Sequence, residues 1–478
     1  MNFKPSIFRR YANGWTVIIF IALFAQYLFL NVACTASLPY FNSAWFGGAN
    51  ARTVHFEDGK GPLSREQSAE IYNNLSRFGE TTILSRHMAL EQAVVGSPLV
   101  VGNKVTLLQD GPATYKAMFA AIRKAKHHIN METYIFEDDE IGRQFADLLI
   151  AKKSHGVEVN LIYDSVGAIN TPRAFFDRLK ANGIRVLEFN PVNPLAVKKE
   201  WLINNRDHRK LLIIDGGTAF LGGINISGVY SSGSLANKKH KKAQAAKQPA
   251  KWRDTHVQID GPVVAEFQKL FLATWKKQNG EPLMQGKYFP SIKQKGTEVV
   301  RAVGSAADES YSMIYVTLLS AVINAENFVH LTNAYFVPDP QLLQVLEDAA
   351  RRGVDVKLIL PSRTDSWAVF HAGRSYYTEL LRAGVKIYER RDAVLHAKTA
   401  LIDGVWSSVG STNLDWRSFL HNDEVNAVVL GPEFAEQMQA MFVQDLHESD
   451  AIELDRWRHR SFMLRVEERF ARLWQYWL

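Results

Sequence analysis

An internal repeat restricts the possible folds of this 478-residue chain more than any other feature of its sequence. The segment HGVEVNLI at 155–162 resembles RGVDVKLI at 352–359, and NGIRVLE at 182–188 resembles AGVKIYE at 383–389. In each copy a glycine ends a helical pattern and a β-branched apolar run follows, which is typical of a helix end leading into a strand. Strands that alternate with helices indicate a layered α/β unit. We therefore predict an α/β protein in which one such unit is built twice.

A polar motif recurs inside both copies of the repeat. Its pattern is H-x-K-x4-D-x6-G-[GS]-x-N. A single H-x-K-x4-D arises easily by chance, but two copies with the same downstream Gly and Asn are a strong signal. The matching residues are His208, Lys210, Asp215, Gly222, Gly223 and Asn225 in the first copy, and His396, Lys398, Asp403, Gly410, Ser411 and Asn413 in the second.

Strand geometry explains the spacing of this motif. His208 and Lys210 are two residues apart, so on a strand their side chains leave the same face. Asp215 opens a Gly-rich turn, and the returning strand of the hairpin is expected to place Asn225 beside His208. The same reasoning applies to the second copy. The candidate catalytic residues are His208, Lys210, Asp215, His396, Lys398 and Asp403. For the two aspartates a structural role is expected. Asn225, Asn413 and Ser411 are candidates for contacting a phosphate or orienting a histidine.

Two carboxylates occupy equivalent positions of the repeat. Aligning Gly261-Pro262 with Gly431-Pro432 puts Asp254 opposite Glu424. A carboxylate can accept a hydrogen bond from a histidine ring, which fixes the tautomer and raises the basicity of the ring. We therefore predict that Asp254 and Glu424 orient the motif histidines.

These motifs resemble the paired motifs of the phospholipase D superfamily. The segments METYIF at 131–136, WRDTH at 252–256, NAYF at 333–336 and GSTNLD at 410–415 resemble bacterial cardiolipin synthases within it. The resemblance implies two tandem domains, at 101–285 and 295–450, related by a pseudo-twofold axis. It also implies a phosphohistidine intermediate that forms without metal, with His208 as nucleophile and His396 as general acid and base; the near-symmetry of the motifs leaves the reverse order open.

The resemblance further implies a substrate and a product. A phosphatidyl group would pass from phosphatidylglycerol to a second lipid alcohol, giving cardiolipin and glycerol, with phosphatidylethanolamine as another candidate substrate. Lys210, Lys398, Asn225 and Asn413 would surround the phosphate oxygens, and four such donors make a metal unnecessary. We expect no cofactor.

The amino terminus predicts a membrane anchor at 1–34. Basic residues precede an uncharged stretch at 15–34, which is long enough to cross a bilayer. The positive-inside rule then places the catalytic units on the periplasmic side of a bacterial inner membrane. The sequence LNVAC at 30–34 also resembles a lipoprotein cleavage site that would acylate Cys34, with Asn31 as a departure from that signal.

Two further segments have open interpretations. Residues 35–100 are predicted to be a connecting region. Residues 451–478 are predicted to form an amphipathic helical tail. This tail either packs on the domains by its apolar side, which is the preferred interpretation, or lies in a bilayer interface. A Lys-rich insertion after Asn225 either attracts anionic substrate or is a solvated loop. We favour the solvated loop.

Three other functions remain open. A hydrolytic phospholipase D would use the same residues with water as acceptor. A nuclease of the superfamily would suit the net charge of +7 but not the anchor, so no nucleic-acid partner is expected. A non-catalytic lipid-binding protein would show a decayed motif, and both copies are intact.

Overall fold

A computed structural model describes residues 54–76, 83–193, 204–233, 251–283, 288–309 and 312–478. These residues all belong to one compact unit that spans residues 40–478. The expected anchor at 1–34 and most of the Lys-rich insertion lie outside the described residues. Within those residues, every helix is too short or too polar to cross a bilayer.

Short elements precede the first unit of the repeat. They are β1 (Phe56–Asp58), β2 (Gly61–Pro62), α1 (Arg65–Ser76), a π-helical turn (Ile83–His87) and α2 (Met88–Val94). Strand β1 pairs in parallel with the first long strand, in the register Phe56 to Leu99. Part of the segment predicted as a connecting region therefore extends the sheet.

The first unit alternates strands and helices as the sequence pattern predicts. Its elements are β3 (Leu99–Gln109), α3 (Asp110–Lys124), β4 (His128–Thr133), α4 (Glu140–Ser154), β5 (Glu158–Asp164), α5 (Arg173–Ala181), β6 (Arg185–Phe189), β7 (Arg206–Asp207), β8 (Lys210–Ile214), β9 (Thr218–Gly222), β10 (Trp252–Arg253), β11 (Thr255–Asp260) and α6 (Val264–Lys277). The sheet order is β6-β5-β4-β8-β9-β11-β3, parallel from β6 to β4 and antiparallel from there on.

The second unit repeats this arrangement. Its elements are β12 (Glu298–Ser305), α7 (Met313–Ile323), β13 (Phe328–Asn333), β14 (Phe336–Val337), α8 (Pro340–Arg351), β15 (Asp355–Pro361), α9 (Trp367–Arg374), α10 (Tyr377–Ala383), β16 (Lys386–Arg390), β17 (Val394–Leu395), β18 (Lys398–Ile402), β19 (Trp406–Gly410), β20 (Leu414–Asp415), α11 (Trp416–Leu420), β21 (Asn422–Leu430) and α12 (Pro432–His447). The sheet order β16-β15-β13-β18-β19-β21-β12 has the same pattern of parallel and antiparallel pairs. The α/β class and the duplication are confirmed.

The two units join into one sheet and share a buried apolar cluster. Strand β3 pairs antiparallel with β12. Apolar side chains of both halves form a single buried cluster, among them Leu221 and Val257 of the first and Val409 and Val425 of the second. Fully burying one such side chain is worth about 1.5–3 kcal/mol. The shared core therefore fixes the position of one half against the other.

Two short parallel strand pairs also cross between the halves. Strand β7 pairs with the start of β21, with Asp207 opposite Asp423. Strand β10 pairs with β17, with Arg253 opposite Leu395. Each motif histidine directly follows one of these strands, so these pairings position the site.

The chain ends in strand β22 (Ser449–Ala451) and helices α13 (Leu454–Arg458) and α14 (Phe462–Arg472), followed by a 3-10 turn (Gln475–Trp477). Helix α14 buries Glu468 and Ala471, whereas Phe462 is 72% exposed. Glu468 turns inward because it pairs with Arg460, whose Nε lies 3.0 Å from Glu468 Oε1. The tail thus packs through Trp457, Ala471 and Glu468 and leaves Phe462 in solvent, so its two interpretations stay open.

Candidate active site

Each motif histidine lies against a carboxylate from the opposite half. In the β7–β21 register, His208 follows Asp207 as Glu424 follows Asp423, and His208 Nδ1 lies 3.0 Å from Glu424 Oε1. In the same way His396 Nδ1 lies 2.8 Å from Asp254 Oδ2. All four side chains are buried. The structure therefore brings the two aligned carboxylates to the histidine rings, and each pair joins the two halves.

These contacts define the state of the rings. A ring nitrogen that faces a carboxylate carries the proton, so Nδ1 is the donor in both histidines and Nε2 keeps its lone pair. In the described part of the chain, no group hydrogen-bonds Nε2 of His208. A neutral imidazole held in this tautomer can attack an electrophile through Nε2 or take up a proton there.

The motif lysines also take symmetric positions. Lys210 Nζ donates to the carbonyl oxygen of His208 at 2.6 Å, and Lys398 Nζ donates to that of His396 at 2.5 Å. Burial lowers the pKa of Lys210 to about 7 and that of Lys398 to about 8, although Glu424 raises the pKa of both. An anionic ligand bound next to Lys210 and Lys398 would raise their pKa values and stabilise their charged forms.

Charges from both halves act on one ring. Burial lowers the pKa of His208 well below its usual value, and Lys210, Lys398 and His396 lower it further. Burial also lowers the pKa of His396, with Lys398 adding to the effect. The pKa of Glu424 rises to about 7 because it is fully buried. Both imidazoles are therefore neutral near pH 7 before an anion binds.

The two motif asparagines differ from each other. Asn225 accepts from the backbone N–H of Ile135 at 3.2 Å and donates to the hydroxyl of Tyr230 at 3.0 Å. That hydroxyl lies 3.5 Å from His396 Nδ1, so Asn225 connects through Tyr230 to His396, and its expected place beside His208 stays a prediction. Within the described residues, Oδ1 of Asn413 is buried without a partner.

Ser411 acts on a carboxylate. Its hydroxyl donates to Glu424 Oε2 and accepts from the backbone N–H of Val425 at 3.0 Å. Ser411 is therefore placed to orient Glu424, and through it His208. The first half has Gly223 at this position, where an added Cβ would lie 2.1 Å from Asp254 Oδ1. The two halves thus support their carboxylates differently.

The motif aspartates lie away from the histidines. Asp215 accepts from the backbone N–H groups of 126, 127 and 128 at 2.7–2.9 Å, and Asp403 accepts from those of 326, 327 and 328 at 2.8–2.9 Å. Five strand residues, roughly 16 Å, separate Asp215 from the histidine end of β8. These contacts favour the structural role expected for Asp215 and Asp403 over a catalytic one, and both roles stay predictions.

Aromatic residues around the histidines were not singled out by the motif. Tyr134 lies 5.1 Å from His208, ring centre to ring centre, and Trp252 lies 5.4 Å from His396. Tyr335 lies 6.4 Å from His396. These three lie in the segments that carried the family resemblance, which was the available signal. Tyr230 had no such signal.

The described residues contain no group of three or more His, Cys, Asp or Glu side chains that could hold a metal ion.

Comparison with known proteins identifies the family. The family described as cardiolipin synthase, PLD-like domain, matches residues 118–235 and 318–446, which contain both motifs. A cardiolipin synthase of Geobacillus kaustophilus is 35% identical over 378 residues, or 79% of this chain and 72% of the relative. The chain belongs to the cardiolipin synthase family. It is accordingly a phosphatidyltransferase with phospholipase D-like domains.

Other relatives agree with the cardiolipin synthase assignment. Cardiolipin synthase 2 of Bacillus anthracis is 36% identical over 77% of this chain and 69% of the relative. Among solved structures, the phosphatidylserine synthase of Haemophilus influenzae superposes with a TM-score of 0.60 at 14% identity, covering 81% of this chain and 99% of that one. That likeness shows the shared fold.

Proposed function

We propose that the chain transfers a phosphatidyl group from phosphatidylglycerol to the alcohol of a second phospholipid through a phosphohistidine intermediate. The observation that carries this proposal is the crossed pairing of His208 with Glu424 and His396 with Asp254. It gives two imidazoles that are held alike through Nδ1 and face away from their carboxylates with Nε2, and a two-step transfer at one phosphorus uses two such groups.

The first step breaks the bond between phosphorus and the glycerol headgroup. Nε2 of His208 attacks phosphorus, a P–N bond forms, and the glycerol oxygen leaves with a proton from His396. In the second step, His396 takes the proton of the incoming lipid hydroxyl, whose oxygen displaces His208 from phosphorus. His396 thus needs to be protonated when substrate is bound, and the phosphate anion raises its proton affinity at that stage. Near-symmetry allows the two histidines to exchange roles.

Lys210 and Lys398 stabilise the phosphate oxygens in both steps. Their ammonium groups are buried and each uses one donor on a backbone carbonyl, which leaves further donors for the phosphate. A fixed donor aimed at developing negative charge is worth about 3 kcal/mol. Asn413 adds an amide group, whereas Asn225 acts through Tyr230 on His396.

The bounds of the domains and the membrane anchor in this proposal come from the sequence. Residues 101–285 and 295–450 are the two catalytic domains. Residues 1–34 anchor the chain in a bacterial inner membrane, as an uncleaved segment or through acylated Cys34, with the domains on the periplasmic side. The charge distribution around the stretch 15–34 supports this placement.

Product analysis tests the transferase. The purified full-length chain is incubated with phosphatidylglycerol vesicles, with and without phosphatidylethanolamine, and the lipids are identified by mass spectrometry. We expect cardiolipin and free glycerol, and their absence in the His208→Ala and His396→Ala variants. Phosphatidic acid as the main product would instead identify a hydrolase, and no lipid product at all would reject the proposal.

A further inference from the structure

Helix α14 carries an apolar stripe on its solvent side. Phe462, Val466 and Phe470 are spaced by four residues, so they lie on one face of the helix. We define the apolar stripe as the exposed large hydrophobic residues of the tail, which are 40–72% exposed: Phe462, Met463, Val466, Phe470, Leu473 and Trp477. A monomeric soluble protein rarely exposes such a contiguous set, so the stripe indicates an interaction surface.

The helix contacts the protein through the side opposite the apolar stripe. The buried residues of α14 are Glu468 and Ala471, which lie on the face opposite Phe462 and Val466. Arg460 holds Glu468 by ion pairing, Nη2 to Oε2 at 2.6 Å. An ordinary surface helix buries its apolar face and exposes its charges. In α14 the largest apolar side chains instead face solvent, so the stripe does not serve packing within the described chain.

The charges beside the stripe are cationic. Arg465 and Arg469 are exposed on the helix next to it, and the Arg465 guanidinium lies 5.9 Å from the centre of the Phe462 ring. Of the two carboxylates of α14, Glu468 is buried and Glu467 lies 3.9 Å from His371. An apolar face bordered by arginines is typical of helices in the interface of anionic bilayers.

The tail also lies beside the active site. Helix α14 packs on α9, whose first residue, Trp367, is 51% exposed. Just before α9, Asp365 accepts a hydrogen bond from the hydroxyl of Tyr335, whose ring faces His396. The tail thus borders the side of the site that contains His396.

The end of the chain reaches the opposite side of the site. The backbone N–H of Arg417 donates to the carbonyl of Leu478 at 3.1 Å, and Tyr476 packs on Trp416 at 5.7 Å between ring centres. The Arg417 charge in turn lowers the pKa of His208. The tail is therefore connected to the surroundings of both histidines.

We propose that the apolar stripe of α14, together with Trp367, inserts into the interface of an anionic lipid bilayer and holds the opening of the active site at the lipid surface. The insertion depends only on the exposed stripe and its arginines. The positioning of the site against lipid rests on the proposed function. A second copy of the chain is the alternative occupant that the experiment must distinguish.

A fluorescent label tests the insertion without any activity measurement. Val466→Cys and, as matched control, the exposed Val443→Cys on α12 are labelled with an environment-sensitive dye in the full-length protein, and the parent chain with Cys34 is treated identically as a blank. On phosphatidylglycerol-containing vesicles, we expect a blue shift at position 466 and quenching by lipids with a doxyl group near the headgroup. Position 443 should show neither effect.

Two results would overturn the insertion. One is a label at 466 that behaves as at 443 on anionic vesicles. The other is a blue shift at 466 without lipid and without doxyl quenching, because that would show the stripe covered by protein, as in a dimer.

Activity tests the positioning separately. The triple variant Phe462→Ser, Val466→Ser and Phe470→Ser should lose about tenfold or more of the turnover on vesicles, but retain turnover on short-chain, monomeric phosphatidylglycerol. The control Val443→Ser should lose neither. Equal turnover of the triple variant and parent on vesicles would reject the positioning. A parent inactive on both substrates, but with label 466 quenched by lipid, would reject the proposed function and keep the insertion.

Discussion

His208 and Glu424 lie in different halves of the repeat, yet Nδ1 of the histidine is 3.0 Å from the carboxylate. The matching pair, His396 and Asp254, crosses in the opposite direction. Each motif histidine thus takes its carboxylate from the other half of the chain. Catalytic geometry in this fold is therefore a property of the join between the halves.

Glu424→Gln should preserve the shape of the site and remove the charge that holds Nδ1–H of His208. Replacing the equivalent acid of a catalytic triad by its amide costs about 10⁴ in kcat, so we expect a fall of about 10²–10⁴-fold. Steady-state assays with phosphatidylglycerol in mixed micelles measure it. The exposed Glu436→Gln serves as control, and a Glu424→Gln variant within threefold of the parent would contradict the orienting role.

A trapping experiment should distinguish the role of His208 from that of His396. Rapid denaturation of the enzyme during turnover of phosphatidylglycerol with a radiolabelled phosphate should leave label on the protein, stable in base and lost in acid. His208→Ala should carry no label. Label on His208→Ala and none on His396→Ala would reverse the assignment, and substantial turnover by either variant would contradict the mechanism.

At alkaline pH, Lys210 and Lys398 should determine how kcat/KM depends on pH. Burial lowers the pKa of Lys210 to about 7 and that of Lys398 to about 8. A lowered lysine pKa means that charge is lost as pH rises, so kcat/KM should fall through this range because the free enzyme binds phosphate less well. The kcat should fall less, since a bound phosphate raises both pKa values. A kcat/KM that stays level across this range would contradict the assignment.

Gly223→Ala should damage the site through Asp254. The added Cβ would lie 2.1 Å from Asp254 Oδ1 in a buried location, so the carboxylate must move away from His396. We expect a loss of kcat of at least tenfold and a destabilisation of about 1–3 kcal/mol. Gly96→Ala is the control, because an added Cβ there meets nothing within 4 Å. Full activity of Gly223→Ala would show that the carboxylate position is unimportant.

Asp215→Ala should reduce stability more than chemistry. The variant removes an acceptor for three backbone N–H groups, and each such hydrogen bond is worth about 0.5–1.5 kcal/mol. Urea unfolding should show a loss of about 2–4 kcal/mol, whereas kcat per folded molecule should stay within a few-fold of the parent. A variant with parental stability and no turnover would return Asp215 to the catalytic residues.

The parts of the site that follow from local geometry could be predicted from the sequence. Two-residue spacing on a strand places His208 and Lys210 together, and the turn chemistry of Asp215 explains its structural role. The crossing of Glu424 to His208 could not be predicted, because it depends on a pairing of only two residues between β7 and the start of β21. The contact of Asn225 with Tyr230 could not be predicted either, since no motif singled out Tyr230.

The tail shows a different limit of the sequence. Helical spacing predicts that α14 has an apolar face, but it cannot say whether that face meets the protein. Here the ion pair between Arg460 and Glu468 holds a carboxylate on the side that faces the protein. A residue that is charged by sequence is thus a packing residue in the fold.

The antiparallel pairing of β3 with β12 limits which substitutions the enzyme can tolerate. Any slippage along this seam would move both imidazoles away from their carboxylates in a single movement, so the proposed nucleophile and the proposed proton donor would be lost together. Substitutions far from phosphorus, on the buried faces of these two strands, should therefore lower activity without altering a single reacting group.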